Sequence, residues 1–412
     1  MLVRCINCGF SCQKYGKTKA GSQRWHCKQC NITFTQTIDN TTKCFHRFLN
    51  WLFSKGTQQD MPGQGRTFRR QIADFWQIWP MPPKIETSRD VVFVDGIYLA
   101  KKACILICYD GEYVLGWYLC RSEQSRSWQA LMQRIATPIV VVSDGGPGLR
   151  KALKKVWRTA KLQRCIVHAV WQVHRYTTRR PKTLAGIMLK DLASDLYNVK
   201  TQEDAKIWIQ RLFNWRVTFK EFLSEMTRDS NDNLRATHER LLKAYNSLVV
   251  LINTETMFRY LDETLVLDKE CPKTNNPIEG GVNAQLRRLL RYHRGMSVEK
   301  RIKAVFWWCY LHSPRPLSAK EILKVMPTDA SISKIYSSMN ERAQLQGIIP
   351  TWGDAISWGD LHNYDKLSFN DWDYSTNTFC PITLSFVRQI SAINAPKAIT
   401  TVITCNKSMI IS

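Results

Sequence analysis

The sequence predicts an α/β protein: a mixed sheet interrupted by an all-helical stretch and preceded by a small cysteine-rich module. Three observations carry this. Apolar strand-like runs alternate with helical segments over residues 91–170, and two of those runs lead into Asp-Gly. A long helical tract follows from 171 to 270. Two CxxC pairs stand near the N-terminus.

The strands come first because they place the chemistry. VVFVDGIYLA puts four apolar residues before Asp95, and KKACILICYDG and EYVLGWYLCRSE are two further strand-like runs. SRSWQALMQRIA has helical spacing. PIVVVSDGGPGLRKALKKVW repeats the opening theme, a buried strand, Asp144, glycines, and Pro147 at a helix start. AKLQRCIVHAV is the next strand. Three strands at hairpin spacing, a helix, a strand, a helix and a strand match the RNase H-like order, in which the first and fourth strands lie side by side. Asp95 and Asp144 are then expected at neighbouring strand ends, where ligands of α/β sheets collect. Two such carboxylates repel, which favours a divalent cation between them. Magnesium, or manganese, suits oxygen ligands, and two ions activate an attacking oxygen and stabilise a leaving one. Gly96 and Gly145 are expected to leave room for a phosphodiester. Either Asp-Gly alone also fits an ordinary turn.

The cysteine pairs are Cys5/Cys8 and Cys27/Cys30, with 18 residues between them. Two such knuckles form a closed tetrahedral site for one structural Zn2+, and such a site stabilises a module too small for a core. Cys12 and His26 are spare ligands, and two disulfides are the alternative, disfavoured in a reducing compartment. No run of 18 apolar residues exists and nothing precedes the first CxxC with room for a signal peptide, so we expect a cytoplasmic protein with no membrane segment.

The 412 residues carry a net charge of +25, which points to a polyanion, nucleic acid first, rather than to a small-molecule substrate. CFHRFLNWLFSK and TFRRQIADFWQIW have helical spacing and are separated by a turn around MPGQGR. They suggest a helix-turn-helix with Arg66, Arg69 and Arg70 near the start of its second helix, or else a plain helical hairpin with a basic face. Three prolines in WPMPPKIETSRD break the pattern before the sheet.

In TNNPIEGGVNAQLRR, Glu279 is the lone acid, and every charge from there to Arg294 is basic. Asn276, Pro277 and Glu279 fit a capping box. Gly280 and Gly281, however, cost about 1 kcal/mol each inside a helix relative to Ala. Close approach of sheet, DNA or metal accounts for them instead. Arg287, Arg288, Arg291 and Arg294 extend a basic face that continues to Lys300, Arg301 and Lys303 and suits phosphates.

VFVDG, VVVSDGG and TNNPIEGGVNAQLRR together resemble the three catalytic segments of bacterial Mutator-type insertion-sequence transposases. Cys165 and His168 match that family's CxxH element, and YGKTKAGSQRWHCKQCNITF resembles the ribbons at the head of several bacterial insertion-sequence transposases. The resemblance covers roughly residues 1–310. It implies that Asp95, Asp144 and Glu279 form a DDE triad binding two Mg2+ or Mn2+ ions, and that a helical domain is inserted before Glu279. It implies metal-dependent cleavage and strand transfer on double-stranded DNA, both transposon ends and target, by a homodimer or larger assembly associated with the nucleoid. Cys165 and His168 are expected to order the floor of the site through a strand-end hydrogen bond. His174 and His293 are expected at the surface or on phosphate. The rivals are an RNase H-like nuclease or resolvase without strand transfer, and a catalytically dead zinc-ribbon regulator.

The expected organisation is a ribbon (1–38), a helix-turn-helix-like segment (39–80), a linker (81–90), the first part of the core (91–171), a helical insertion (172–270), the final core helix with Glu279 (271–312) and a weakly patterned tail (313–412). Within that tail SPRPLSAKEILKVM suggests a linker and short helix, NYDKLSFNDWDYS is turn-rich, and TTVITC is β-prone.

Overall fold

The computed structural model describes residues 3–35, 39–99, 103–228 and 230–334. At the N-terminus, β1 (Gln13–Lys17), β2 (Gln23–Cys27) and β3 (Ile32–Thr35) form an antiparallel sheet in that order. Its buried centre consists of Cys5, Cys12 and Cys27, with Trp25 and Phe34 packed against it.

Helices α1 (Thr41–Leu52) and α2 (Gln64–Ile72) follow, then a 3-10 turn over Asp74–Gln77. The second helix stops earlier than its periodicity predicts. Trp79 precedes Pro80, which drives the preceding backbone toward extended conformations, and Ile78 is already extended. Phe68, Ile72, Phe75, Trp76 and Trp79 are nonetheless all buried. These helices do not form a free-standing module. Phe45 and Phe48 pack on Trp307 at ring-centroid distances of 5.3 and 6.4 Å, within the core that covers one face of the central sheet.

That sheet comprises β4 (Val91–Leu99), β5 (Ala103–Tyr109), β6 (Val114–Cys120), β7 (Val140–Ser143) and β8 (Lys161–Arg164). Helix α3 (Ser125–Met132) joins β6 to β7, and α4 (Pro147–Leu153) joins β7 to β8. The spatial order is β6-β5-β4-β7-β8, antiparallel through the first three and parallel through the last three. The first and fourth strands of the sheet are therefore neighbours. Residues alternate between faces. Val92, Val94 and Val141 pack with α3 and α4, while Phe93, Ile97, Val140 and Val142 face the opposite core. Asp95 shares the second set's side.

Residues 166–261 have a separate apolar core. It is built from α5 (Ile166–Thr177), α6 (Leu184–Asp195), α7 (Gln202–Thr218), α8 (Lys220–Ser224) and α9 (Glu239–Asn253). The tryptophan stripes are core: Trp208 Nε1 donates to Leu192 O at 2.8 Å and Trp215 Nε1 to Ala185 O at 3.0 Å. The tract is not all helix, because β9 (Met226–Arg228) and β10 (Leu234–Ala236) form a small hairpin.

A π-helical turn, Pro277–Asn283, leads into α10 (Ala284–Tyr292), followed by α11 (Val298–Leu311) and α12 (Ala319–Val325). Two sequence expectations fail here. Lys303 is not on the basic face: it is fully buried, donating to Glu299, Asp329 and Trp76 O. His293 is also buried, with Nε2 2.8 Å from Leu52 O. Lys303 falls among the buried residues of α11 and His293 just past the end of α10, placements that charge alone did not reveal. The short helix expected after Ser313 is α12, capped by Ser318 and Glu321. The turn-rich and β-prone stretches of the tail lie outside the described residues. Among the described residues no helix is long and apolar enough to cross a membrane.

Candidate active site

Strands β4 and β7 run parallel with Val91, Val92 and Phe93 opposite Val140, Val141 and Val142. The same register carried two residues further sets Asp95 level with Asp144. Pairing has ended by then, so β4 presents Asp95 beside the open end of β7. Asp95 and Gly96 lie inside β4, paired with Ile107 and Leu106, and not at a turn or a strand end. Asp144 does leave its strand, with Oδ1 accepting from Gly146 N at 3.1 Å.

The turn carrying Glu279 docks through Ile278 and Val282, both buried in the sheet-covering core. One turn beyond Glu279, Asn283 Nδ2 donates to Asp95 Oδ2 at 2.6 Å, and Asn275 Nδ2 reaches Val94 O at 3.3 Å. Elements separated by 188 positions in the chain are thus bonded at the carboxylate. The capping box does not form. Asn276 is helical and makes no side-chain cap bond. The Glu279 side chain points elsewhere, with Oε1 3.4 Å from His168 Nδ1. A Cβ on Gly280 would meet Asn276 Oδ1 at 2.8 Å, whereas one on Gly281 would meet open space.

Glu279 shares its immediate surroundings with the CxxH pair. Ligand atoms of Cys165, His168 and Glu279 all lie within 4.8 Å of one another, whereas Asp95, Asp144 and Glu279 form no such close group. Cys165 caps the gap between β8 and α5, and its Sγ accepts from Asn275 N at 3.2 Å. That bond ties the strand end to the segment leading into Glu279.

Burial and crowding of like charge govern the electrostatics. Desolvation pushes Asp95 up to about 6, with Asp144 and Glu279 adding repulsion. Burial raises Glu279 as well, opposed by an Asn275 hydrogen bond and the Arg287 charge. His168 is shifted down by burial. Glu279 Oε1, Asn275 Oδ1, Asn283 Oδ1 and Arg164 Nη1 are buried and make no hydrogen bond. Unsatisfied buried polar atoms are costly, and this many around one pair of carboxylates indicates a place built for a polar or ionic ligand.

Two neighbours escaped the sequence reading. Glu123, in the loop before α3, is driven up to about 7 by burial and then by Asp144 and Asp95. Arg164, at the end of β8, lies opposite Ser143 and feels the Asp144 charge. They also correct the reading of the glycines. A Cβ on Gly96 would come 2.6 Å from Glu123 Oε1, and one on Gly145 would come 2.6 Å from Arg164 Nη1. These glycines admit protein side chains and not open space for a substrate. Gly145 also has φ +81, a conformation that favours glycine. A lone acid in a loop and a lone base at a strand end carry no pattern, so only the fold reveals them.

Residues 91–238 match the family described as Transposase, Mutator family. This segment is similar to that family. It holds Asp95, Asp144, Cys165 and His168 and ends before Glu279. The chain is also similar to the transposase for insertion sequence element IS905 of Lactococcus lactis, 25% identical over 184 residues, which are 40% of this chain and 45% of that protein. It is similar to a probable insertion-element transposase of Corynebacterium diphtheriae, 23% identical over 121 residues, 27% of this chain and 34% of that one. The chain thus spans less than half the length of either relative.

Outside residues 91–238, the sulfurs of Cys5, Cys8, Cys27 and Cys30 lie within 4.8 Å of one another, and all described cysteines are free thiols. Backbone donors from Asn7 and Cys8 draw the Cys5 thiol down to about 6, while hydrogen bonding with Cys30 pushes Cys8 the other way. Cys12 is buried nearby but outside this group, and His26 is engaged with Thr33 and Tyr15. Arg66, Arg69, Arg70, Arg287, Arg288, Arg291 and Arg294 are all exposed.

The raised Asp95 carboxyl has a measurable consequence. Its folded form holds a proton up to about pH 6, whereas an ordinary aspartate loses it near 3.8. Stability in the absence of divalent cations therefore falls as pH rises from about 4 to about 6 and stays lower above that range. Asp95→Asn removes the penalty, worth at most about 3 kcal/mol. Thermal melts without added divalent cation are expected to rank the variant above the wild type at neutral pH and to converge near pH 4. An equal gap at both pH values would contradict this origin.

Proposed function

We propose that the protein is a DDE transposase with an RNase H-like core, which binds the terminal inverted repeats of its own insertion sequence, cuts there and joins the ends to target DNA. The observation that carries this reading is the level placement of Asp95 on β4 and Asp144 just past the end of its parallel neighbour β7, with the Glu279 turn bonded to Asp95 through Asn283. The similarity of residues 91–238 to the Mutator family and the net charge of +25 support it.

The donor set fits a hard divalent cation: carboxylate oxygens that repel one another, surrounded by unsatisfied amide and carboxylate oxygens. Asp95 and Asp144 would hold magnesium or manganese, and Glu279 would join them by side-chain rotation away from His168. Bound there, two such ions supply activation of the attacking oxygen and charge neutralisation at the leaving one. The chain's own work is positional. Asn283 orients Asp95, Gly146 N–H orients Asp144, and Cys165 fixes the approach to Glu279 through Asn275. The four N-terminal thiols fit one structural zinc ion, because soft sulfur donors at this mutual distance suit a tetrahedral site. The exposed arginines of α2, and those of α10 and just beyond it, are assigned to DNA phosphates, in a cytoplasmic, nucleoid-associated dimer or larger assembly.

The test is a strand-transfer assay with end-containing duplex and magnesium. Joined products are expected. Cleavage without joining would favour a nuclease, and binding without either would favour a regulator.

A further inference from the structure

Directly after Asp144, residues 145–164 carry seven cations and no acid. Five of them, Arg150, Lys151, Lys154, Arg158 and Lys161, line one side of a cleft of about 450 Å³. All five are exposed, and among the described residues none forms an ion pair. The opposite wall is Thr254–Arg259 of the helical unit, whose one acid, Glu255, is bonded to Arg259. The walls are fixed relative to each other: Arg164 N donates to Thr256 O at 2.7 Å, and Gln163 Nε2 to Met257 O at 3.0 Å. Pro147, three residues beyond Asp144, lines the cleft, which extends along α4 to Lys161, the residue of β8 paired with Val140.

Five neighbouring cations without counter-charges repel one another, a cost that a bound polyanion removes. The charges of the cleft sit on separate, exposed side chains. A repeated, extended array of phosphates suits that arrangement better than a compact nucleotide. We propose that this cleft holds the sugar-phosphate backbone of DNA running past Asp144. The proposal rests on the DNA-processing reading above and adds a contact surface distinct from the arginines of α2 and α10. Transposon-end DNA and target DNA share this chemistry, and the experiment separates them.

The full-length chain and its Lys154→Ala/Arg158→Ala variant are titrated with two fluorescent duplexes, one carrying the element end and one lacking it, across a salt series. Each lost phosphate contact reduces the slope of log K against log salt by about 0.9. The variant is therefore expected to lose about 1.8 of slope, while a control on α12, Lys320→Ala/Lys324→Ala, keeps the wild-type slope. Both substituted pairs are exposed, and unchanged thermal melts verify folding. Loss on both duplexes assigns the cleft to general backbone contact, as target DNA requires. Loss on the end duplex alone assigns it to the element end. Wild-type binding with no change of slope in the variant overturns the cleft proposal and leaves the transposase reading standing. Failure of the wild-type chain to bind either duplex overturns both.

Discussion

Asp144→Asn is expected to abolish DNA cleavage and joining while leaving DNA affinity at or above the wild-type level. The substituted amide still accepts from Gly146 N–H, so the loop after β7 keeps its shape. What it loses is the negative charge that balances Asp95 in holding a divalent cation. Cation chemistry of this kind contributes several kcal/mol of transition-state stabilisation, so a rate loss of about 1,000-fold or more follows. Removing a charge that faces phosphates does not weaken binding. Single-turnover cleavage with magnesium, beside anisotropy measurements on the same duplex, separates the two effects. Cleavage within about tenfold of wild type would remove Asp144 from the chemistry. Lost affinity together with lost activity would point to a folding defect.

Removal of zinc from the N-terminal module is expected to unfold that module while sparing the sheet. Cys5, Cys12 and Cys27 are its whole buried centre. Strand β1 is exposed at every position, so no apolar face holds it down. Structural zinc contributes on the order of 10 kcal/mol in modules of this size. Cys27→Ser leaves three ligands and should abolish stoichiometric zinc, measured by native mass spectrometry. Trypsin should then cut at Lys14, Lys17 and Arg24 in the variant and not in the wild type. The melting transition of the remainder should persist, because residues 39–334 have cores of their own. A Cys27→Ser chain that retained zinc and resisted trypsin would exclude these four sulfurs as the ligand set.

Local patterns exposed much of this design. Apolar runs before Asp95 and Asp144, the helix starting at Pro147 and the paired CxxC spacing each reflect constraints between residues close in sequence. The expected adjacency of the first and fourth strands is present because the order of strands and crossovers restricts parallel pairing. The same local reasoning misplaced the Asp95-Gly96 pair, which is inside a strand, and the Glu279 turn, which does not cap its helix. It also left Lys303 on a surface from which packing removes it.

The sequence alone singled out the side chains we propose for the chemistry: two acids closing apolar runs, one acid before a basic helix, and four thiols in two knuckles. Periodicity and spacing record those choices directly. Only the tertiary structure decided their company. Asn283 against Asp95, His168 against Glu279, Glu123 and Arg164 beside the glycines, and the basic cleft between β8 and the helical unit all join segments remote in the chain. Such contacts arise from packing between elements, and packing leaves no periodic trace in a single sequence.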